Sequence, residues 1–127
     1  MKISNDDLKL LMTAIRRAFS RSSLRKEVLE KAKTPYIDLS RPRVKNWFQC
    51  NICKNCFAGY QMQIDHIIPI VPVNKGLTEM KIYDLIERTF CNIDNLQAAC
   101  LDCHKAKSKE ENKLRREYRK KRKEKNV

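Results

Sequence analysis

Two pairs of cysteines at Cys-x-x-Cys spacing carry the clearest chemical signal in this sequence. Cys100 and Cys103 form the second pair, whereas the first pair is either Cys50 with Cys53 or Cys53 with Cys56. Zn²⁺ is commonly bound by four thiolates, supplied two at a time by turns of this spacing. We favour Cys50 and Cys53, because the strand-like residues before Cys50 lead directly into a turn. The pattern predicts a structural zinc site that has no open coordination position.

The two histidines of the chain lie in the same stretch as these cysteines. His66 follows Asp65 at the end of an alternating segment, and His104 follows directly on the second cysteine pair. A neutral imidazole accepts a proton near neutral pH, and an imidazole together with a carboxylate can bind a divalent cation. Phosphodiester hydrolysis needs both a base and a cation. If a metal links the two cysteine turns, His66 and His104 can approach each other and carry out this chemistry.

In this order the residues resemble the zinc-containing branch of the HNH endonucleases, which is common in bacteriophages. The resemblance covers residues 47–110, about half of the chain. It depends on three motifs: Cys50-x-x-Cys53, Asp65-His66-Ile-Ile-Pro69, and Asn95-Leu-Gln-x-x-Cys100-x-x-Cys103-His104-x-x-Lys107-Ser108. Two departures from the family pattern are Lys54, where a Gly often follows the first cysteine turn, and Cys56, which keeps the alternative pairing open.

The resemblance implies a mixed α+β fold containing a ββα-metal core, in which two strands and a helix surround one divalent ion. It implies that His66 is the general base and that Asp65 and His104 bind the catalytic ion. Asn95 is then expected to orient the loop and the base. Mg²⁺ or Mn²⁺ is the expected ion, and Ni²⁺ or Zn²⁺ is also compatible with a His ligand. The implied activity is endonucleolytic hydrolysis of DNA that leaves 5′-phosphate and 3′-hydroxyl ends.

The charge balance favours a polyanionic partner. The chain has 28 Lys and Arg against 15 Asp and Glu, a net charge of +13, and residues 104–127 alone have twelve Lys or Arg against four Glu. Such a balance is typical of nucleic-acid binding, so we expect double-stranded DNA as the partner and backbone contacts that weaken with salt. The residues predicted to contact the backbone are Lys105, Lys107, Arg115, Arg116 and Arg119.

The sequence also predicts where the chain acts. It has no apolar run long enough to span a bilayer, and its N-terminus lacks the apolar core of a signal peptide. Cysteines at metal-site spacing favour a reducing compartment. We therefore expect a cytoplasmic protein without a membrane partner, which would act in the host cytoplasm if a phage encodes it.

Three segments are predicted: an N-terminal helical extension and linker (1–46), a zinc-stapled nuclease core (47–110) and a basic C-terminal helix or tail (111–127). Ser4 is expected to cap a first helix, and a second helix is expected over residues 24–33. The core is expected to contain an alternating strand from Tyr60 and a helix from Thr78. Ser108 is expected to open the final helix, whose end is expected to be irregular. The third helix is expected to turn four residues inward: Met80, Tyr83, Ile86 and Phe90.

Three alternatives stay open at this point. The N-terminal helices either pack on the core or use their basic residues as a phosphate-contacting surface, formed by Arg16, Arg17, Arg21, Arg25 and Lys26. Trp47 is expected to be a core residue rather than a base-stacking one. The main rival to a nuclease is a non-catalytic zinc-ribbon module that binds nucleic acid, and the second rival is an adaptor whose basic tail meets an acidic protein.

Overall fold

The structure is a computed structural model that describes residues 3–125, over which it contains four α-helices and two small antiparallel sheets. The helices are α1 (Asn5–Ser20), α2 (Ser23–Ala32), α3 (Ile82–Thr89) and α4 (Leu101–Lys125). The strands are β1 (Lys33–Thr34), β2 (Trp47–Gln49), β3 (Cys56–Ala58), β4 (Met62–His66) and β5 (Leu96–Cys100). The predicted α+β class is confirmed. The outer ends of the predicted segments 1–46 and 111–127 lie outside the described residues.

The second sheet contains three of the predicted site residues, Asp65, His66 and Cys100. The first sheet has the order β1–β2–β3, and the second pairs β4 with β5. In the second sheet Met62 lies opposite Cys100 and His66 opposite Leu96. Because β5 ends at Cys100 and α4 begins at Leu101, the helix follows the strand without a loop. The antiparallel pair and α4 therefore form one continuous unit.

The two N-terminal helices form where the sequence predicts them. The Ser4 hydroxyl accepts a hydrogen bond from the Asp7 amide at 3.2 Å, and this cap starts α1. Leu8, Met12 and Phe19 are buried along one face of the helix, as expected from their helical spacing. These contacts place α1 against two hydrophobic clusters. Phe19 belongs to the cluster around β4 and β5, whereas Leu8 and Met12 pack with Leu85 of α3.

Trp47 is a core residue, as predicted, because only 3% of its surface is exposed. The Tyr36 ring meets it edge-on, with 5.2 Å between the ring centroids. The Arg41 guanidinium covers it at 5.2 Å from the ring centroid. An aromatic ring enclosed in this way stabilises the first sheet and is not available to stack on a base.

Two predictions about the middle of the chain are wrong. Tyr60 was expected in a strand, but it lies in a 3₁₀ turn before β4 and is 72% exposed. The side chains of Tyr83, Ile86 and Phe90 are 65%, 44% and 39% exposed, whereas Leu85 is fully buried. The buried face of α3 is instead the one with Ile82, Leu85 and Thr89, because Ile82 and Leu85 pack with Leu8 and Met12 of α1. Met80 precedes α3, which begins only at Ile82, and packs on the same cluster.

The start and end of the last helix also differ from expectation. α4 begins at Leu101 rather than at Ser108, because the second cysteine turn is itself the first helical turn, and the Cys103 amide donates to Cys100 Sγ at 3.4 Å. The helix runs across the expected boundary between residues 110 and 111 and remains regular to Lys125. Arg122 contributes to this order, since it bonds the Glu79 carboxylate and the Asn74 carbonyl.

Within residues 3–125, none of the helices combines the length and the apolar character needed to cross a membrane.

Candidate metal centre and catalytic cleft

Four cysteines from two turns converge on one point. The Sγ atoms of Cys50, Cys53, Cys100 and Cys103 all lie within 4.8 Å of one another. In a tetrahedron with metal–sulfur bonds of about 2.3 Å, neighbouring sulfurs are about 3.8 Å apart, so a small contraction would let all four sulfurs bind one ion. Cys56 lies in β3 and is not part of this cluster. The favoured pairing of Cys50 with Cys53 is thus the one that the structure brings together.

The first cysteine turn depends on an unusual backbone conformation. Lys54 has a φ of 65°, in the left-handed region that Gly adopts most easily. Its amide donates to the Cys50 carbonyl at 2.9 Å, and its ammonium donates to Asn51 Oδ1 at 3.0 Å. Lys54 therefore adopts the conformation of the Gly expected at this position, at a cost of about 1 kcal/mol, and its side chain helps to fix the turn.

Backbone amides surround the sulfur of Cys50. Burial opposes ionisation of this thiol, but the amides of Cys100, Cys53 and Ile52 donate to Cys50 Sγ and lower its pKa to about 6. A hydrogen bond with Cys100 raises the pKa of Cys103 to about 12. In the absence of a cation, the adjacent sulfurs therefore do not ionise together. A metal ion with two positive charges would remove this conflict, and the donor set fits such an ion.

The Asp65 carboxylate is the centre of a second cluster and is only 5% exposed. Its Oδ2 accepts from Gln97 Nε2 at 2.8 Å and lies 3.3 Å from Lys107 Nζ. Its Oδ1 lies 3.8 Å from Nε2 of His104. A carboxylate oxygen and an imidazole nitrogen that face each other are groups that could together hold a divalent cation. Gln97 and Lys107 therefore fix one carboxylate oxygen, and the other faces the imidazole of His104.

His66 has a defined orientation and tautomer. Its Nε2 lies 2.8 Å from the Thr89 carbonyl oxygen. Because a carbonyl oxygen only accepts, Nε2 carries the proton and Nδ1 keeps its lone pair. The Phe19 ring packs on the imidazole with 4.9 Å between the ring centroids. Burial is the main cause that lowers the pKa of His66. The imidazole is therefore neutral near pH 7 and has an acceptor nitrogen.

Asn95 fixes the chain just after His66. Its side-chain Oδ1 accepts from the Ile68 amide at 2.8 Å, and its Nδ2 donates to the Ile68 carbonyl at 3.1 Å. The Asn95 carbonyl also accepts from the Ile67 amide at 2.8 Å. Three hydrogen bonds thus join the exit of β4 to the entry of β5, and they limit the movement of the segment that follows His66.

Lys107 has a different place from the one expected of a DNA-contacting residue. Its ammonium donates to the His66 carbonyl at 2.9 Å and also contacts the carboxylates of Asp65 and Glu111. The side chain is only 22% exposed. Lys107 is therefore part of the Asp65 cluster, where it balances negative charge, and its predicted contact with the DNA backbone stays a prediction.

An open cleft of about 620 Å³ runs along this cluster, between α1 and α4. Asp65, His66 and His104 all line it, so the structure brings together the three side chains that the sequence singled out. Of the other predicted contact residues, Arg115 and Arg119 line the cleft, whereas Lys105 and Arg116 are exposed elsewhere on α4. Arg115 also donates to the Val71 carbonyl at 2.7 Å, so it holds a neighbouring loop in place.

Side-chain hydrogen bonds connect the cysteine cluster to the cleft. Lys54 donates to Asn51, Asn51 Nδ2 donates to Gln97 Oε1 at 2.8 Å, and Gln97 donates in turn to Asp65. Sequence reasoning missed the role of Gln97, which lies opposite Asp65 in the pairing of β4 with β5, a register that the sequence alone does not give. It also missed Thr89 and Phe19, which contact His66 and whose spacing in the sequence gives no signal.

Comparisons with protein-family models, with curated proteins and with solved structures found no match. Function must therefore be inferred from the residues and their arrangement.

Proposed function

We propose that this chain is a metal-dependent endonuclease of the HNH type that hydrolyses phosphodiester bonds of double-stranded DNA. One observation carries the proposal: Asp65, His66 and His104 line one cleft, and Asp65 Oδ1 is 3.8 Å from His104 Nε2. A base and a pair of cation ligands are the groups that hydrolysis of a phosphodiester requires. The order of β4, β5 and α4 is also the order expected for a ββα-metal core.

The cysteine cluster has a separate role in this proposal. Four thiolates with mutual distances below 4.8 Å match the donor set and the size of a structural zinc site. All four positions of the metal are then occupied by protein, so no position remains for water or substrate. We assign this site to Zn²⁺ and to stability alone.

His66 is the proposed general base. Because Nε2 is bonded to the Thr89 carbonyl, Nδ1 is the atom that takes a proton from the attacking water. The Thr89 carbonyl accepts from Nε2 and the Phe19 ring packs on the imidazole, so the imidazole enters the reaction already oriented. Asn95 keeps the segment after His66 in place through its two bonds to Ile68.

Asp65 and His104 are the proposed ligands of a divalent cation, for which Mg²⁺ or Mn²⁺ is the first choice and Ni²⁺ or Zn²⁺ an alternative. When bound, this ion supplies positive charge that stabilises the phosphate and its leaving oxygen. Gln97 and Lys107 hold the carboxylate through its other oxygen, which leaves Oδ1 directed at His104. Such support commonly fixes the orientation of a ligating group.

The test is incubation of zinc-loaded protein with supercoiled plasmid, with Mg²⁺, Mn²⁺, Ni²⁺ or Zn²⁺ added singly and with excess chelator. We expect nicked or linear product with at least one ion and none with chelator. His66→Ala should reduce the cleavage rate by about 10²- to 10⁴-fold, the usual contribution of a general base. Its DNA affinity and zinc content should match those of the unaltered chain.

The same experiment identifies the rival. If the protein is a non-catalytic zinc-ribbon module, the unaltered chain and His66→Ala would bind the plasmid with equal affinity. Neither would cut the plasmid, whichever ion is added. An adaptor for an acidic protein would show no retention of duplex DNA at moderate salt. Either result would contradict the proposed function.

A further inference from the structure

The N-terminal helix α1 forms one wall of the cleft rather than a remote packing element. Phe19 packs on the His66 ring, and Arg16 lies one turn earlier on the same helix and lines the cleft. Residues three apart lie on the same face of a helix, so the guanidinium of Arg16 is carried beside the candidate catalytic base. Arg25 of α2 lines the cleft as well. The basic surface of the N-terminal helices thus reaches the site itself.

The opposite wall is one face of α4. Its lining residues follow one face of the helix, in steps of three or four positions apart from one adjacent pair: His104, Ser108, Glu111, Asn112, Arg115 and Arg119. At 1.5 Å per residue, Arg115 and Arg119 lie about 16 Å and about 22 Å along the axis from His104. A rise of about 22 Å corresponds to roughly six nucleotides of one DNA strand at 3.4 Å each. The wall is therefore long enough to follow a short stretch of backbone.

The acidic groups of the cleft have basic partners within the protein, whereas two of its arginines have no acidic partner among residues 3–125. The carboxylates of Asp65 and Glu111 are both paired with Lys107. Over residues 3–125, Arg122 forms a salt bridge with Glu79, whereas neither Arg16 nor Arg119 forms one. Two guanidinium groups on facing walls thus have positive charge that protein carboxylates do not neutralise. Guanidinium groups of this kind suit phosphate, which they can bind through two parallel hydrogen bonds.

We propose that the cleft between α1 and α4 binds the sugar–phosphate backbone of one DNA strand, and that Arg16 contacts a phosphate beside the scissile one. Arg119 binds the same strand farther along α4. This inference rests on the proposed function, because only a nuclease has a scissile phosphate. Binding of a DNA backbone in the cleft does not itself require cleavage. The inference assigns to α1 a role in positioning the substrate. Because these contacts are to phosphate alone, they would give no sequence preference.

The chain offers a matched pair of variants. Arg16→Ala and Arg17→Ala each remove one positive charge from an exposed position on α1, but only Arg16 lines the cleft. Affinity is measured by fluorescence anisotropy on a labelled 20-bp duplex, at several salt concentrations and without added divalent ion. We expect Arg16→Ala to weaken binding about 5- to 10-fold and to reduce the slope of log K against log salt by about 0.9.

Arg17→Ala should bind within about 2-fold of the unaltered chain, Arg25→Ala should follow Arg16→Ala in direction, and Arg16→Lys should keep most of the salt slope. Equal affinities and equal slopes for Arg16→Ala, Arg25→Ala and Arg17→Ala would overturn the inference. The two proposals fail separately. If duplex binding depends on Arg16 but no cleavage occurs, the nuclease proposal is wrong and the backbone-binding cleft stands. If cleavage occurs but neither it nor binding depends on Arg16, the cleft proposal is wrong and the nuclease proposal stands.

Discussion

The cysteine cluster and the cleft differ in how much space they leave for other molecules. Cys50 and Cys100 are 0% and 4% exposed, and four sulfurs surround one point. The second cluster offers one carboxylate and one imidazole, and it opens into a cleft of about 620 Å³. A metal surrounded by four protein ligands can only stabilise the fold, whereas a cation with two protein ligands still has positions for water and phosphate. The proposed function therefore assigns stability to the cysteine cluster and chemistry to the cleft.

The two regions are joined rather than independent. β5 ends at Cys100, and α4 carries His104 about one turn beyond it. Asn51 in the first cysteine turn bonds Gln97, which bonds Asp65. Loss of the order of the cysteine turns should therefore reach the cleft, whereas a substitution in the cleft removes none of the four cysteines and should leave their metal bound. The predictions below test this asymmetry.

The largest effect is expected from Cys100→Ser. Structural zinc contributes about 10–16 kcal/mol to the folding of zinc-finger peptides, which exceeds the total stability of many domains. We expect the variant to lose its bound metal and its cooperative thermal transition, as measured by metal analysis and circular dichroism. Cys56→Ser is the matched control, because Cys56 lies outside the cluster, and it should cost about 1 kcal/mol or less. Equal losses in the two variants would mean that the cysteines act by packing and not as ligands.

An intermediate effect is expected from Gln97→Leu. This change removes the bond to Asp65 Oδ2, and loss of such a support typically costs 10- to 100-fold in metal affinity or activity. We expect the divalent ion concentration for half-maximal plasmid cleavage to rise by about that factor, with zinc content unchanged. Asn51→Ala should have a smaller effect, because Gln97 then keeps its bond to Asp65. A larger effect from Asn51→Ala than from Gln97→Leu would contradict the view that Gln97 holds Asp65 directly and that Asn51 acts through Gln97.

The smallest effect is expected far from both regions, where Arg122 of α4 pairs with Glu79. A hydrogen bond from Arg122 lowers the pKa of the Glu79 carboxyl. A carboxyl whose pKa is lower in the folded state stabilises the fold above its unfolded value of about 4.3, and this contribution is lost as the pH falls through the folded value. Urea unfolding should therefore show Glu79→Gln slightly less stable than the unaltered chain at pH 7, and the difference should shrink as the pH is lowered below about 4.3. A difference that stays constant from pH 7 down to the lowest pH at which both proteins fold would exclude an ionic origin.

The residues that form the two clusters were predictable because they stand out by their types and short spacings. The α+β class, the two N-terminal helices and the metal-compatible set Cys50, Cys53, Cys100 and Cys103 are confirmed. Asp65 and His66 are adjacent in sequence, and His104 follows a turn whose geometry the cysteines fix. The endonuclease activity and the identities of the metals stay predictions.

What could not be predicted depends on tertiary contacts. Phe19 and Thr89 reach His66 from 47 residues earlier and 23 residues later, and no local pattern relates such positions. The predicted inward face of α3 is wrong because Leu8 and Met12 of α1 pack on the face that carries Leu85. The ion pair between Lys107 and Asp65 could not be predicted either, because Asp65 lies on another element. Charge and periodicity are local properties, and these contacts are not.

The most direct test of the difference between the two regions is a titration of zinc-loaded protein with Mn²⁺, followed by electron paramagnetic resonance of the free ion. We expect one exchangeable Mn²⁺ per chain, no loss of zinc, and loss of Mn²⁺ binding in Asp65→Asn and His104→Ala while both variants keep their zinc. Mn²⁺ binding that is absent in the unaltered chain, or that survives both substitutions, would contradict the assignment of the cleft as a second, open metal centre.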